Sequence, residues 1–349
     1  MKITRIDKSR IDQADLENPV FGTQFSDHML VCKYKNGKWE EPEIKPYGPM
    51  SFTPALHTLH YGQALFEGQK AYYMSDGTIG IFRPEMNAKR LNHSAKRMFM
   101  PEFPEDLFVD GLKQLVEIDR AWVPKKEGYS LYLRPFMFGS SEFVAARPSE
   151  EYIFCVVMSP VGPYYAGEVK VKVEETYTRS ASGGVGSTKC AGNYGGAFFA
   201  TDQARKEGYT QVIWTDHKNH ELIEESGTMN VGFVIGDTFI TPPLSDRILA
   251  GITRDSILTL LRDTDIVKNV EERPIKVEEV IAAAEAGTLK EVFGMGTAAV
   301  VSQISTIGFR GTDYKIETPK DGYAMKIKKA LTAIRMGDAD DKYNWMVRL

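Results

Sequence analysis

The run Ser159-Pro160-Val161-Gly162-Pro163-Tyr164-Tyr165-Ala166-Gly167 constrains the fold more than any other segment. Two prolines and two glycines in nine residues remove backbone donors and admit angles that neither helix nor strand sustains. A chain of 349 residues has mass for more than one core, and a break near its middle predicts two. The expected division is a small N-terminal domain over 1–160, a linker over 161–170 and a large domain over 171–349.

Before the break, strand-like runs occur at Met29–Lys35, Lys70–Tyr73, Thr78–Phe82, Ser130–Phe136 and Tyr152–Met158. Helices are expected over Met86–Phe99, where Leu91, Ala95 and Met98 share a face, and over Leu107–Arg120. After it, Val169–Thr178 and Thr210–Thr215 read as strands, and Gly196–Lys206 and Val277–Ala286 as helices. Another helix begins near Arg254. Val231–Ile235 and Thr238–Thr241 read as a hairpin turning at Gly236-Asp237. Strands and helices alternate without regular βαβ spacing, which predicts two α+β domains rather than one doubly wound sheet.

Charge and composition exclude several classes. A net charge of −4 and no long basic run give no reason to expect nucleic acid. The most apolar stretch, near Tyr152–Met158, is too short to span a bilayer. The first residues lack an apolar signal core. Cys32, Cys155 and Cys190 are too scattered for a disulfide framework or a metal pair, so a reducing cytoplasm is expected. His57 and His60, and His217 and His220, share an i, i+3 spacing without the carboxylate of a helical metal motif. No metal is expected.

Lys189 stands out within Ser182–Gly196. It is the single charged residue of fifteen in a glycine-rich loop. Such a loop can approach a bound molecule closely, and an amine held there is a candidate nucleophile toward a carbonyl. The plain alternative is a solvated loop lysine. A phosphate-binding P-loop would need Gly-Lys-Ser/Thr, but Thr188 precedes this lysine and Cys190 follows it. Gly294-Met295-Gly296-Thr297-Ala298-Ala299 matches a dinucleotide fingerprint, yet Val300–Ile304 reads as a strand where that motif requires a helix.

Pyridoxal phosphate is the common carbonyl partner of a reactive lysine, and it makes further demands. Its pyridine nitrogen needs a carboxylate, its phosphate needs helix N-terminal amides and a cation, and its phenolic oxygen gains from a donor. Glu225 lies in Glu224-Glu225-Ser226-Gly227-Thr228-Met229-Asn230. Gly251-Ile252-Thr253-Arg254 opens a helix that Thr253 is placed to cap. Gly296-Thr297-Ala298 offers a second small-residue turn, and Tyr194 follows the lysine by five residues. Tyr132 and Arg134, i and i+2 on a strand, point to one face. Each has a plain reading too: Tyr132 as core packing, Arg134 as a rim salt bridge, Arg90 as a solvated helix charge, and Glu224 in place of Glu225.

Taken in order, the motifs resemble the fold type IV aminotransferases, and more narrowly the branched-chain amino-acid aminotransferases. The resemblance rests on Lys189-Cys190-Ala191-Gly192-Asn193-Tyr194 and Glu225-Ser226-Gly227-Thr228-Met229-Asn230. It extends to His60-Tyr61 with Phe66-Glu67-Gly68-Gln69-Lys70-Ala71, to Phe82-Arg83-Pro84 with Asn87 and Arg90, and to Leu131-Tyr132-Leu133-Arg134-Pro135.

The resemblance implies the D-amino-acid-aminotransferase-like fold, with a barrel-like sheet in the C-terminal domain. It implies transfer of the amino group between leucine, isoleucine or valine and 2-oxoglutarate. Lys189 would form the Schiff base with pyridoxal phosphate and move the proton. Glu225 would pair with the pyridine nitrogen and Tyr194 with the phenolic oxygen. Arg90, the amides of Ile252 and Thr253, and Thr297 would hold the phosphate. The Thr297-Ala298 turn and Tyr61 would meet the substrate carboxylate. Phe66, Tyr61, Tyr132, Thr228 and Ala298 would line the side-chain pocket, with Arg134 receiving a distal carboxylate. A homodimer is implied, with the loop Gly139–Arg147 reaching the neighbouring subunit's site. Arg179 stands where the family carries an arginine, without an assigned role. A Cys-x-x-Cys pair found in some relatives is replaced by Ala299 and Ser302, so no such thiol switch is expected. The alternatives are another fold type IV enzyme, acting on D-amino acids or aminodeoxychorismate, and a nucleotide-dependent oxidoreductase.

Overall fold

The computed structural model describes residues 1–163, 169–298 and 300–349. The chain gathers into two compact units. One comprises Met1–Tyr164 with Thr188–Gly192 and Ala333–Leu349, and the other Tyr165–Ser187 with Asn193–Thr332. Within the run expected as a linker, a strand runs on through Pro160 to Val161, and the next strand begins at Val169. Pro160 sits opposite Leu131 on one side only, past the last pairing with the His28–Lys35 strand. Its missing N–H therefore costs no ladder bond. Residues 164–168 of that expected linker lie outside the described residues, as does Ala299.

Among the described residues, the first unit is built on a ten-stranded sheet. Its middle strands run in the order His28–Lys35, Tyr152–Val161, Ser130–Gly139, Gln69–Tyr73, Ile79–Phe82. The short strand Ala64–Phe66 also pairs with Ser130–Gly139. Helices α1 (His57–Tyr61), α2 (Pro84–Arg97) and α3 (Glu105–Ile118) belong to this unit. Alternation along Ser130–Gly139 sends Leu131, Leu133 and Met137 into a core with Leu91 and Ala95 of α2 and Leu112 and Leu115 of α3. Tyr132, Arg134 and Phe136 are left for the opposite face. Pro84 opens α2 at a position whose amide needs no partner.

The second unit holds a nine-stranded sheet among the described residues. Val169–Val173 pairs in parallel with both Gln211–Thr215 and Val300–Phe309. The hairpin Asn230–Ile235 with Thr238–Thr241 forms as expected, with Gly236 in the left-handed region at φ 58°. The strand expected to reach Thr178 stops at Val173, where Glu174 turns the chain by accepting the amides of Thr176 and Tyr177. Mixed parallel and antiparallel pairing bears out the α+β class.

Four more helices follow: α4 (Ala191–Lys206), α5 (Ile252–Arg262), α6 (Val277–Glu285) and α7 (Tyr323–Met336). Helix α4 starts before the expected Gly196, directly after Cys190. Glycines 192, 195 and 196 were grounds to read a loop, at about 1 kcal/mol each relative to alanine in a helix. Helix α5 corrects the cap: Gly251 is its N-cap, and Thr253 lies buried inside the first turn. A β-carbon at Gly251 would fall 1.9 Å from Asn230 Oδ1, so a side chain has no room there. Helix α7 was not anticipated, although its buried Ala324, Ile327, Leu331 and Ile334 keep helical spacing. No described helix is long and apolar enough to cross a membrane, and no described cluster of three His, Cys, Asp or Glu could hold a metal.

Candidate active site

In the first unit the site is organised by one face of α2. Asn87, Arg90 and Ser94 are spaced by three and four residues, so they form a polar stripe on a buried side. Glu67, with no exposure at all, receives two parallel bonds from Arg90: Nε at 2.8 Å and Nη2 at 2.7 Å. Asn87 Nδ2 adds a third at 2.7 Å. A buried carboxylate is costly unless its lone pairs are filled, and bidentate pairing with further donors is the arrangement that fills them. Glu67 is also anchored through its backbone, donating 2.7 Å to the Pro135 carbonyl. Pro135 lies between the residues of its strand that pair with Gln69–Tyr73 and those that pair with Ala64–Phe66.

The third member of the stripe reaches the lysine. Ser94 Oγ accepts the Lys189 amide at 3.0 Å, and the Lys189 carbonyl accepts the Phe66 amide at 3.1 Å. Cys190 bridges Leu65. The lysine backbone is thus fixed on both sides, while Nζ lies 4.8 Å above the Phe66 ring. These supports hold its backbone in place, and the residue is half-buried.

Next to this lysine is a cavity of about 560 Å³ whose lining includes Phe66, Tyr132, Arg134 and Ala191. Phe21, Phe25, Phe136 and Val157 complete its apolar wall. Arg134 donates to the Tyr132 hydroxyl at 3.0 Å, and its guanidinium lies 4.5 Å from the Phe66 ring centre. The cation is thereby stored flat against aromatic faces, a contact worth about 0.5–2 kcal/mol. The pocket can present aromatic surface or a cation to whatever enters. A larger cleft of about 720 Å³, lined by Lys33, Lys45 and Phe143, has neither Lys189 nor its neighbours on its wall. The smaller cavity is the one beside a held amine.

Tyr61 is not on that wall. It is 42% exposed, and its hydroxyl donates to the Val144 carbonyl. His57 Nε2 contacts the Arg147 carbonyl at 2.7 Å, and the Phe143 ring lies 5.4 Å from the His57 ring. Helix α1 and the loop Gly139–Arg147 therefore form one fastened assembly.

In the second unit, Glu225 is buried on the strand Ile223–Ser226, paired across to Trp214. Its Oε1 accepts the Leu249 amide at 2.7 Å, and Oε2 lies 3.1 Å from Arg179 Nε. Adjacent Glu224 faces the other way, as strand alternation demands, and pairs with Arg247. Burial lifts the Glu224 carboxyl above its ordinary range, against the opposing pull of the Arg247 guanidinium. The sequence could not choose between the two acids, but their surroundings differ.

The remaining predicted residues of this unit lie at element ends. No side chain caps α5, which leaves the N-terminal amides of Ile252 and Thr253 to other acceptors. Thr228 is exposed on the tight turn joining Ser226 to Met229. Thr297 and Ala298 form the turn between Leu289–Gly296 and Val300–Phe309, an antiparallel pair that excludes the dinucleotide reading. Val300 takes a φ of 61°, a costly angle for a β-branched residue. Tyr194 is half-buried in the first turn of α4.

Sequence reasoning missed Glu67, Asn87 and Ser94 as site residues, though helical spacing from Arg90 marks two of them. Phe136 continues the Tyr132–Arg134 alternation and could have been found. Nothing local marks Phe21 or Phe25.

A model of the family described as amino-transferase class IV matches residues 64–307. A probable branched-chain-amino-acid aminotransferase of Staphylococcus epidermidis is 42% identical over 344 residues, which is 97% of this chain and 95% of that protein. Branched-chain-amino-acid transaminase 1 of Bacillus subtilis is 42% identical over 335 residues, 94% of each. The solved branched-chain aminotransferase of Thermoproteus uzoniensis with norvaline superposes with a TM-score of 0.76 at 23% identity, covering 92% of this chain and 99% of that one. That of Thermobaculum terrenum in its PLP form gives 0.72 at 22% identity, over 95% and 99%.

Proposed function

The chain belongs to the class IV aminotransferases, and from that membership we propose that it moves amino groups between branched-chain L-amino acids and 2-oxoglutarate. Its cofactor is pyridoxal phosphate, which supplies an electron sink for the carbanion formed at the substrate Cα. Each unit holds residues suited to that group: in the first a held amine and an arginine, in the second a buried paired carboxylate and a helix N-terminus without a side-chain cap.

Lys189 would be the amine that holds the cofactor and the base for the proton at the substrate carbon, and the Ser94 and Phe66 bonds fix the backbone that carries it. Glu225 would accept the pyridine N–H, and Tyr194 would donate to the phenolic oxygen. Arg90, the Ile252 and Thr253 amides and Thr297 would hold the phosphate. Glu67 already balances the Arg90 charge, so Arg90 contributes directed donors more than net charge. The apolar side chain enters among Phe66, Tyr132, Phe21 and Phe136, where burial contributes about 25 cal/mol per Å². Arg134 receives the distal carboxylate of glutamate, whose desolvation would otherwise oppose binding. Thr228, Ala298 and Tyr61 complete the substrate contacts. Tyr61 and the loop Gly139–Arg147, fastened as one assembly, serve the site of a second copy in a homodimer. The enzyme works in the cytoplasm.

Lys189 carries this reading, its backbone clamped by hydrogen bonds beside an aromatic cavity that stores a cation. The test is a half-reaction panel on purified holoenzyme. L-leucine should discharge its visible absorbance, while D-alanine and aminodeoxychorismate should not. Discharge by D-alanine alone would move the enzyme to the other fold type IV activities.

A further inference from the structure

Glu224 and Glu225 are consecutive on one strand, so their side chains leave opposite faces, although their charges still act on each other and Arg179 is felt at Glu224 too. Arg247 takes Glu224. Arg179, only 8% exposed at its side chain, takes Glu225. Its Nε is 3.1 Å from Oε2 without the straight N–H···O alignment of a hydrogen bond, so the contact is chiefly a charge pair. Its Nη2 is spent on two carbonyls, Gly186 at 3.0 Å and Arg247 at 2.5 Å. Ser180 Oγ bonds that same Arg247 carbonyl at 2.9 Å. The guanidinium is therefore locked by the backbone, and the carboxylate is held between it and the Leu249 amide.

We infer that Arg179 is a positioning residue that keeps Glu225 ionised, so that the proton shared with the cofactor's ring nitrogen stays on nitrogen. This rests on the reading of Glu225 as the partner of that nitrogen. A carboxylate alone in a buried pair can take the proton back, leaving a neutral ring and a neutral acid. A fixed cation beside the carboxylate opposes that transfer. Proton number is conserved; only its location between Glu225 oxygen and ring nitrogen changes. The ring with its proton on nitrogen is the stronger electron sink, so the Arg179 charge would be felt at the reacting carbon without touching it.

The test uses holoenzyme loaded with cofactor carrying 15N at the ring nitrogen, whose NMR shift separates pyridinium from neutral pyridine. Wild type and Arg179→Lys, which keeps the charge, should give the pyridinium shift. Arg179→Gln, which keeps donors for the carbonyls but not the charge, should move toward neutral pyridine and slow the leucine half-reaction about tenfold, a typical scale for one unit of proton affinity. A pyridinium shift in Arg179→Gln would overturn the inference. A neutral shift in both variants would overturn it too, since a merely structural arginine behaves that way. Glu225→Gln separates the premise: if it keeps the pyridinium shift, Glu225 is not the partner and the underlying assignment falls first.

Discussion

Two buried glutamate–arginine pairs, Glu67–Arg90 in one unit and Glu225–Arg179 in the other, look alike on paper and are built differently. Glu67 is saturated, with two parallel bonds from Arg90, a third from Asn87 and its backbone fixed on Pro135. Glu225 accepts the Leu249 amide at one oxygen and meets the Arg179 cation obliquely at the other. The difference teaches what each carboxylate is for. A closed fork positions its arginine, so Glu67 serves Arg90 and through it the fold. An oblique guanidinium supplies charge more than directed bonds, which is the part we propose for Arg179 beside Glu225.

The widest separation between the two pairs should come from removing each carboxylate's charge. Glu225→Gln should keep its fold and bind cofactor, but lower kcat for L-leucine by about 10²-fold or more, the scale of losing a key protonation partner. Near-normal turnover would refute its role. Glu67→Gln should do the reverse in kind. Leaving the Arg90 guanidinium buried without its counter-charge costs about 3–5 kcal/mol, readable as a lower urea midpoint of the apoenzyme. A midpoint unchanged from wild type would show that the fork is not structural.

A smaller effect probes the arginine stored on aromatic faces. Arg134→Ala should raise KM for 2-oxoglutarate at least about tenfold, the range of one lost charge-assisted bond, while changing the leucine half-reaction much less. Equal losses in both would make Arg134 a packing residue. The smallest effect concerns the first sheet's burial. Desolvation pushes the thiols of Cys32 and Cys155 up to about 12. At pH 8 each is then about 10⁻⁴ thiolate. Native enzyme treated with iodoacetamide should show neither labelled on mass spectrometry, and both should label once unfolded. Native labelling would mean that the sheet opens readily.

Much of this was legible in sequence, and the reasons differ by region. Strand-like apolar runs at Met29–Lys35 and Tyr152–Met158 and helical period at Leu91 and Ala95 predicted elements that form. The α+β class followed from their irregular order. What failed was local chemistry overridden by context. Thr253 looked like a cap, but Gly251 takes that place because Asn230 leaves no room for a side chain. The glycines of α4 looked like loop, yet that helix continues from the clamped lysine. Pro160 looked like a break and lies in a strand where no donor is required. Lys189, Arg90 and Tyr132 stood in motifs that suggested roles. Glu67 stood in one of those motifs without a suggested role, and Ser94 and Phe21 in none, because their contacts are with partners distant in the chain.

Whether Lys189 is the amine that holds the cofactor can be read directly by reducing the holoenzyme with borohydride and mapping its peptides. A phosphopyridoxyl group should appear on Lys189, and no such adduct in Lys189→Ala. A modified lysine elsewhere, with Lys189 unmodified, would contradict that role.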